Sequence, residues 1–108
     1  MAKKMKKIVQ LKIPRYVWAN REFHFPDENG KLYMQLDHLK SEVVEVEKEI
    51  KQQTNNHIRG KGFEKQKIAE EIVDVMHSAT TLLFILGADI DAAHEAVVRK
   101  NKRRGYLI

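Results

Sequence analysis

The chain has 108 residues, 43% hydrophobic and 32% charged, a balance that excludes a disordered polymer and fits one globular domain. It has no cysteine, which excludes disulfides and thiolate metal sites and fits a reducing cytoplasm. The formal charge of +5 is uneven: lysines 3, 4, 6 and 7 form one basic cluster, Arg99, Lys100, Lys102, Arg103 and Arg104 another, and most acids lie between them. Basic ends around an acidic centre suit a phosphorylated ligand held through a metal, and they also suit nucleic acid.

Residues 1–14 read as a basic lead-in. Its start resembles a signal peptide, but Gln10, Lys12 and Pro14 interrupt what should be the apolar region. The longest apolar run, Leu82 to Ala88, is far short of the roughly 20 residues that cross a bilayer. A cytoplasmic protein with no membrane partner is expected, its single domain covering residues 15–108. Pro14 can occupy a first helical turn, so a short amphipathic helix is predicted over 15–23. Pro26-Asp27-Glu28-Asn29-Gly30 reads as a turn.

From about Lys31 to Gln53 the period is helical, with Leu36, Leu39, Val43, Val46 and Ile50 on one stripe. Thr54 to Gly62 reads as a loop. A second long helix is predicted from Phe63 to Leu86, with Ile68, Ile72, Val75, Ala79, Leu82 and Leu86 on its stripe and Gly87 as a left-handed terminator. Asp89 or Asp91 then caps a third helix that runs to about Arg103, where Gly105 closes it. The expected fold is all-α: a helical bundle with two long antiparallel helices, a C-terminal helix and a short N-terminal one. Met76, Leu82, Leu83, Phe84, Ile85 and Leu86 make the second long helix apolar nearly all round. Such a helix needs cover on more than one side, which points to a homodimer or homotetramer.

Two carboxylate pairs carry the chemistry, Glu42-x-x-Glu45 and Glu71-x-x-Asp74. Residues three apart share a helix face, so each pair can reach one ion. At about 100° per residue, both pairs flank their apolar stripes on the same rotational edge, about 70–80° from the stripe centre. An antiparallel hairpin packed stripe to stripe brings these edges to one side. The register agrees, because Glu42 with Asp74 and Glu45 with Glu71 are both symmetric about residue 58, so the four acids should meet. At about 5 Å and an effective dielectric near 20, each ionised pair costs about 3 kcal/mol. Raised pKa values, neighbouring lysines (Lys40, Lys48, Lys67) or a cation must offset that, and an all-oxygen set favours Mg²⁺ or Mn²⁺ over zinc.

Glu-x-x-Glu, a spacer of 25 residues and Glu-x-x-Asp resemble the signature of the MazG-type, all-α nucleoside triphosphate pyrophosphohydrolases. The strings Ser41-Glu42-Val43-Val44-Glu45 and Ala69-Glu70-Glu71-Ile72-Val73-Asp74-Val75 resemble the two motif helices. Lys100-Asn101-Lys102-Arg103-Arg104-Gly105-Tyr106 resembles the family's basic tail, and Phe23-His24 stands where an aromatic–histidine element often precedes the first motif helix. Val43-Val44 departs from the pattern, since many members carry a further acid there. The resemblance covers roughly residues 15–106. It implies Mg²⁺-dependent water attack on the α-phosphorus of a nucleoside triphosphate, giving the monophosphate and pyrophosphate, as in nucleotide pool cleansing. Glu42, Glu45, Glu71 and Asp74 would hold the ion and act in catalysis, with Glu42 or Glu45 orienting the water.

A triphosphate also needs fixed positive charge. Lys100 and Arg104, with Asn101 as an uncharged donor, are the phosphate candidates, although cations at a helix C-terminus are favoured by the dipole alone. Phe23 and His24 are the candidates to contact the base, whereas Tyr16 and Trp18 read as packing residues. His38, His57, His77 and His94 show no ligand spacing and read as surface or cap-side residues. There is no Gly-x-x-x-x-Gly-Lys-Ser/Thr loop, His-Glu-x-x-His or Gly-x-Gly-x-x-Gly, and Arg59-Gly60-Lys61-Gly62 reads as a turn. The competing functions are a nucleic-acid-binding helical module, supported by the basic ends, and a non-catalytic helical interaction subunit.

Overall fold

The computed structural model describes Asp27 and residues 30–105. Among these residues there are three helices and no strand: α1 Lys31–Ile58, α2 Lys65–Leu86 and α3 Ile90–Arg103. The predicted lead-in over 1–14, the helix over 15–23, and Phe23, His24 and Tyr106 lie outside the described residues. No single helix among the described residues is long and apolar enough to cross a membrane.

The start of α1 is set by a turn. The Gly30 amide donates to the Asp27 carbonyl at 3.0 Å, and the Asp27 carboxylate accepts the Leu32 amide at 3.2 Å. Gly30 sits at φ 61, where a residue without Cβ is favoured. At the other end α1 runs to Ile58, so Thr54–Ile58, expected as a loop, is helical. Nothing before Gly60 forces a break, and the Gln52 side-chain amide donates to the Asn56 side chain one turn on at 3.0 Å. The helix stops in a Schellman arrangement, with the Lys61 amide donating to the Asn56 carbonyl and the Gly60 amide to the His57 carbonyl.

α1 and α2 form one antiparallel hairpin. Gln35 and His38, near the start of α1, meet Ser78 in the second half of α2, while Gln53 meets Glu64 at the turn. The buried residues of the hairpin are Gln53, Ser78, Thr80, Thr81 and Ile85. This corrects the expected stripe-to-stripe packing. Ser78, Thr81 and Ile85 share a three–four row with Glu71 and Asp74, so the seam is turned towards the acids. Stripe members Val43, Ile50, Ile72 and Leu86 remain 43–51% exposed. Two helices bury only one face each, and here polar residues occupy much of it.

Those buried hydroxyls are satisfied in two ways. Thr80 and Thr81 donate back to the carbonyls of Met76 and His77, both at 2.8 Å. Ser78 instead spends its hydroxyl across the seam, on α1.

α1 and α2 belong to one compact unit and α3 to a second. The start of α3 follows the sequence reading, with Asp89 as the cap: its carboxylate accepts the Ala92 amide at 3.0 Å. Gly87 at φ 74 ends α2, and Gly105 at φ 75 follows α3.

Candidate metal centre

On α1, the row Gln35, His38, Glu42, Glu45, Glu49 advances by three and four residues, so all five side chains leave the same face. Glu71 and Asp74 form the start of the matching row on α2. Because the hairpin pairs these rows, carboxylates distant in sequence meet. Carboxylate oxygens of Glu42, Glu71 and Asp74 all lie within 4.8 Å of one another, and each residue is half-buried.

Glu45 takes a different position. It is not part of that close group, its side chain is 49% exposed, and Lys48 Nζ lies 3.4 Å from its Oε1. The four acids therefore gather as three plus one. Glu45 is the more exposed acid of this row, and Lys48 three residues on supplies its counter-charge.

The electrostatics agree with the geometry. Glu71 has its pKa raised above the ordinary 4.5, first by desolvation at its half-buried position and then by repulsion from Asp74, Glu45, Glu42 and Glu49. Glu49 thus belongs to the acidic neighbourhood although no paired motif singles it out. The signal was the continued spacing from Glu42 through Glu45 to Glu49. Its orientation is fixed by Gln53, whose side-chain amide donates to the Glu49 carboxylate at 2.8 Å.

The residues present fit a hard divalent cation. The donors are all oxygens, from three carboxylates on two rigid helices, the ligand type that Mg²⁺ and Mn²⁺ take. The three carboxylates lie within 4.8 Å of one another, close enough to face a shared ion.

Two polar contacts support the acids from behind. His38 Nε2 lies 3.3 Å from Glu42 Oε1, and His38 Nδ1 lies 2.9 Å from the Ser78 hydroxyl. Gln35 donates to both the hydroxyl and the carbonyl of Ser78, at 3.0 and 3.1 Å. His38 is thus a bridge between the helices, where the sequence alone suggested a surface or cap-side residue. A shallow cavity of about 340 Å³ opens beside Asp74, lined by Gln66, Ala69, Glu70 and Val73.

The phosphate candidates Lys100 and Asn101 occupy the last turn of α3, and Arg104 is its C-cap. Lys100 and Arg104 are exposed and Asn101 is half-buried. The base-contact candidates Phe23 and His24 lie outside the described residues. Comparison of the chain with protein-family models, with curated proteins and with solved structures found no match.

Proposed function

We propose that this chain is a Mg²⁺-dependent nucleoside triphosphate pyrophosphohydrolase of the MazG type, acting as a homo-oligomer. The observation that supports this most is the approach of Glu42, Glu71 and Asp74 from two helices to within 4.8 Å. Three carboxylates this close repel one another, and an ion between them turns that repulsion into binding. The exposed Val43, Ile50, Ile72 and Leu86 are apolar surface that a second copy would cover.

In this reading Glu42, Glu71 and Asp74 hold the cation. When bound, it supplies charge neutralisation for the phosphates and positions them for attack. Glu45, exposed beside the group, orients the water and accepts its proton. The water oxygen bonds to the α-phosphorus, the bond from that phosphorus to the α–β bridging oxygen breaks, and pyrophosphate leaves with the bridging oxygen. Lys100, Asn101 and Arg104 offer two positive charges and an amide for phosphate oxygens, the role that the resemblance gives them.

The test is a panel of canonical and modified nucleoside triphosphates incubated with Mg²⁺ and scored for pyrophosphate against orthophosphate. Pyrophosphate and monophosphate in equal amounts, abolished by chelator and by Glu42→Gln, Glu71→Gln or Asp74→Asn, is the expected result. Orthophosphate alone, or turnover unchanged in those variants, overturns the assignment.

A further inference from the structure

The hydrogen bonds that run from Gln35 through Ser78 and His38 end on Glu42, and they cross from one helix to the other to do so. An ionised Glu42 carboxylate only accepts, so the facing Nε2 of His38 must carry the proton. In the neutral ring with the proton on Nε2, Nδ1 has a lone pair for the Ser78 O–H, 2.9 Å away. The Ser78 oxygen in turn accepts from the Gln35 amide, whose second proton goes to the Ser78 carbonyl.

Ser78 is fully buried, while the His38 side chain is 42% exposed and that of Glu42 18%. The anchored end of the relay is therefore in the seam and the working end is at the acids. Thr80 and Thr81, the neighbouring buried hydroxyls, turn back on their own helix instead. A serine that served only to fill the seam could do the same.

We infer that His38 is a positioning residue, held by Ser78 and Gln35, that fixes the Glu42 carboxylate in the orientation from which it binds a divalent cation with Glu71 and Asp74. This inference rests on the cation reading of the acid cluster. Partners of this kind behind metal ligands set ligand orientation and typically change affinity by about 10–100-fold when removed.

The experiment is calorimetric titration of the intact protein with Mn²⁺, with far-ultraviolet circular dichroism on each variant. His38→Ala and Ser78→Ala should each weaken Mn²⁺ binding by about 10–100-fold. The double variant should cost no more than His38→Ala alone, because the relay acts as one unit. His38→Gln, which restores an N–H donor near the Nε2 position, should recover most of the affinity. Thr80→Val, which deletes a buried hydroxyl outside the relay, should leave it unchanged. A helical His38→Ala protein with wild-type affinity overturns the relay and leaves the cation site standing. A wild-type protein that binds no Mn²⁺, or Glu42→Gln binding as tightly as wild type, overturns the cation reading and the relay with it. Should Ser78→Ala fail to fold, the half-exposed His38 variants decide the matter alone.

Discussion

The side-chain carbonyl of Gln53 accepts the backbone amide of Glu64 at 2.9 Å, tying the last turns of α1 to the first residue before α2. The other end of the same side chain donates to Glu49, so one buried amide joins the hairpin turn to the acidic row. Replacing it takes both partners away at once, from the Glu64 amide and from the Glu49 carboxylate.

Gln53→Ala should destabilise the protein by about 1–3 kcal/mol, the cost of stranding buried polar groups. Urea denaturation followed by circular dichroism measures this. A midpoint equal to wild type would show that the contact contributes nothing.

The raised pKa of Glu71 sets a pH dependence with a definite sign. A carboxyl whose folded-state pKa lies above its unfolded value binds its proton more readily when folded. Its stabilising contribution is complete below the ordinary 4.5 and is lost as pH rises through the raised folded-state value. Without divalent cation, Glu71→Gln should therefore be more stable than wild type at pH 7, and the advantage should vanish by about pH 4. Thermal melts across that range in chelator test it.

Cation binding should raise the melting temperature. Mg²⁺ or Mn²⁺ at 100 times Kd adds about 2.7 kcal/mol. Glu42→Gln, Glu71→Gln and Asp74→Asn should lose most of this shift. Glu45→Gln should keep it while losing pyrophosphate release, because Glu45 is not one of the three acids of the close group. Loss of both properties in Glu45→Gln would place it among the ligands.

Lys100→Ala and Arg104→Ala should each raise KM for a nucleoside triphosphate by about 10–100-fold, the worth of one charge-assisted hydrogen bond. Mn²⁺ affinity measured without nucleotide should not change. An unaltered KM in both variants would leave these residues as simple partners of the α3 dipole.

Asp89→Ala should remove the α3 cap and cost about 1 kcal/mol of local helix stability. Faster hydrogen exchange at the amides of residues 90–93, with the α1–α2 hairpin unchanged, is the expected signature.

Much of the hairpin was legible because the three–four period of apolar residues is long in both helices. The approach of Glu42 to Asp74 followed from symmetry about residue 58, and the His38–Ser78 contact obeys the same symmetry. The full extent of α1 is hidden in the sequence because Thr54-Asn55-Asn56 has loop-like composition, whereas only Gly60 and Gly62 adopt positive φ in that stretch. The seam differs from the apolar stripe because the apolar period assigns burial to apolar side chains. Ser78, Thr81 and Gln53 are buried for their hydrogen bonds, and Gln53 simply continues the stripe three residues after Ile50. The spacing places Glu45 beside Glu71, which it repels, but does not reveal the Lys48 contact that accompanies its exposure.

The turn between α1 and α2 is exposed from Arg59 to Gly62, while the acids and the relay depend on how far round each helix a residue falls. Adding one residue at that turn lengthens a surface connection and leaves both helices in phase. Adding one between Glu42 and Gln53 rotates everything before it by about 100° relative to the turn and swings Glu42 and His38 off the seam. Length variation in this protein is thus tolerable at the tip and prohibited along the shafts.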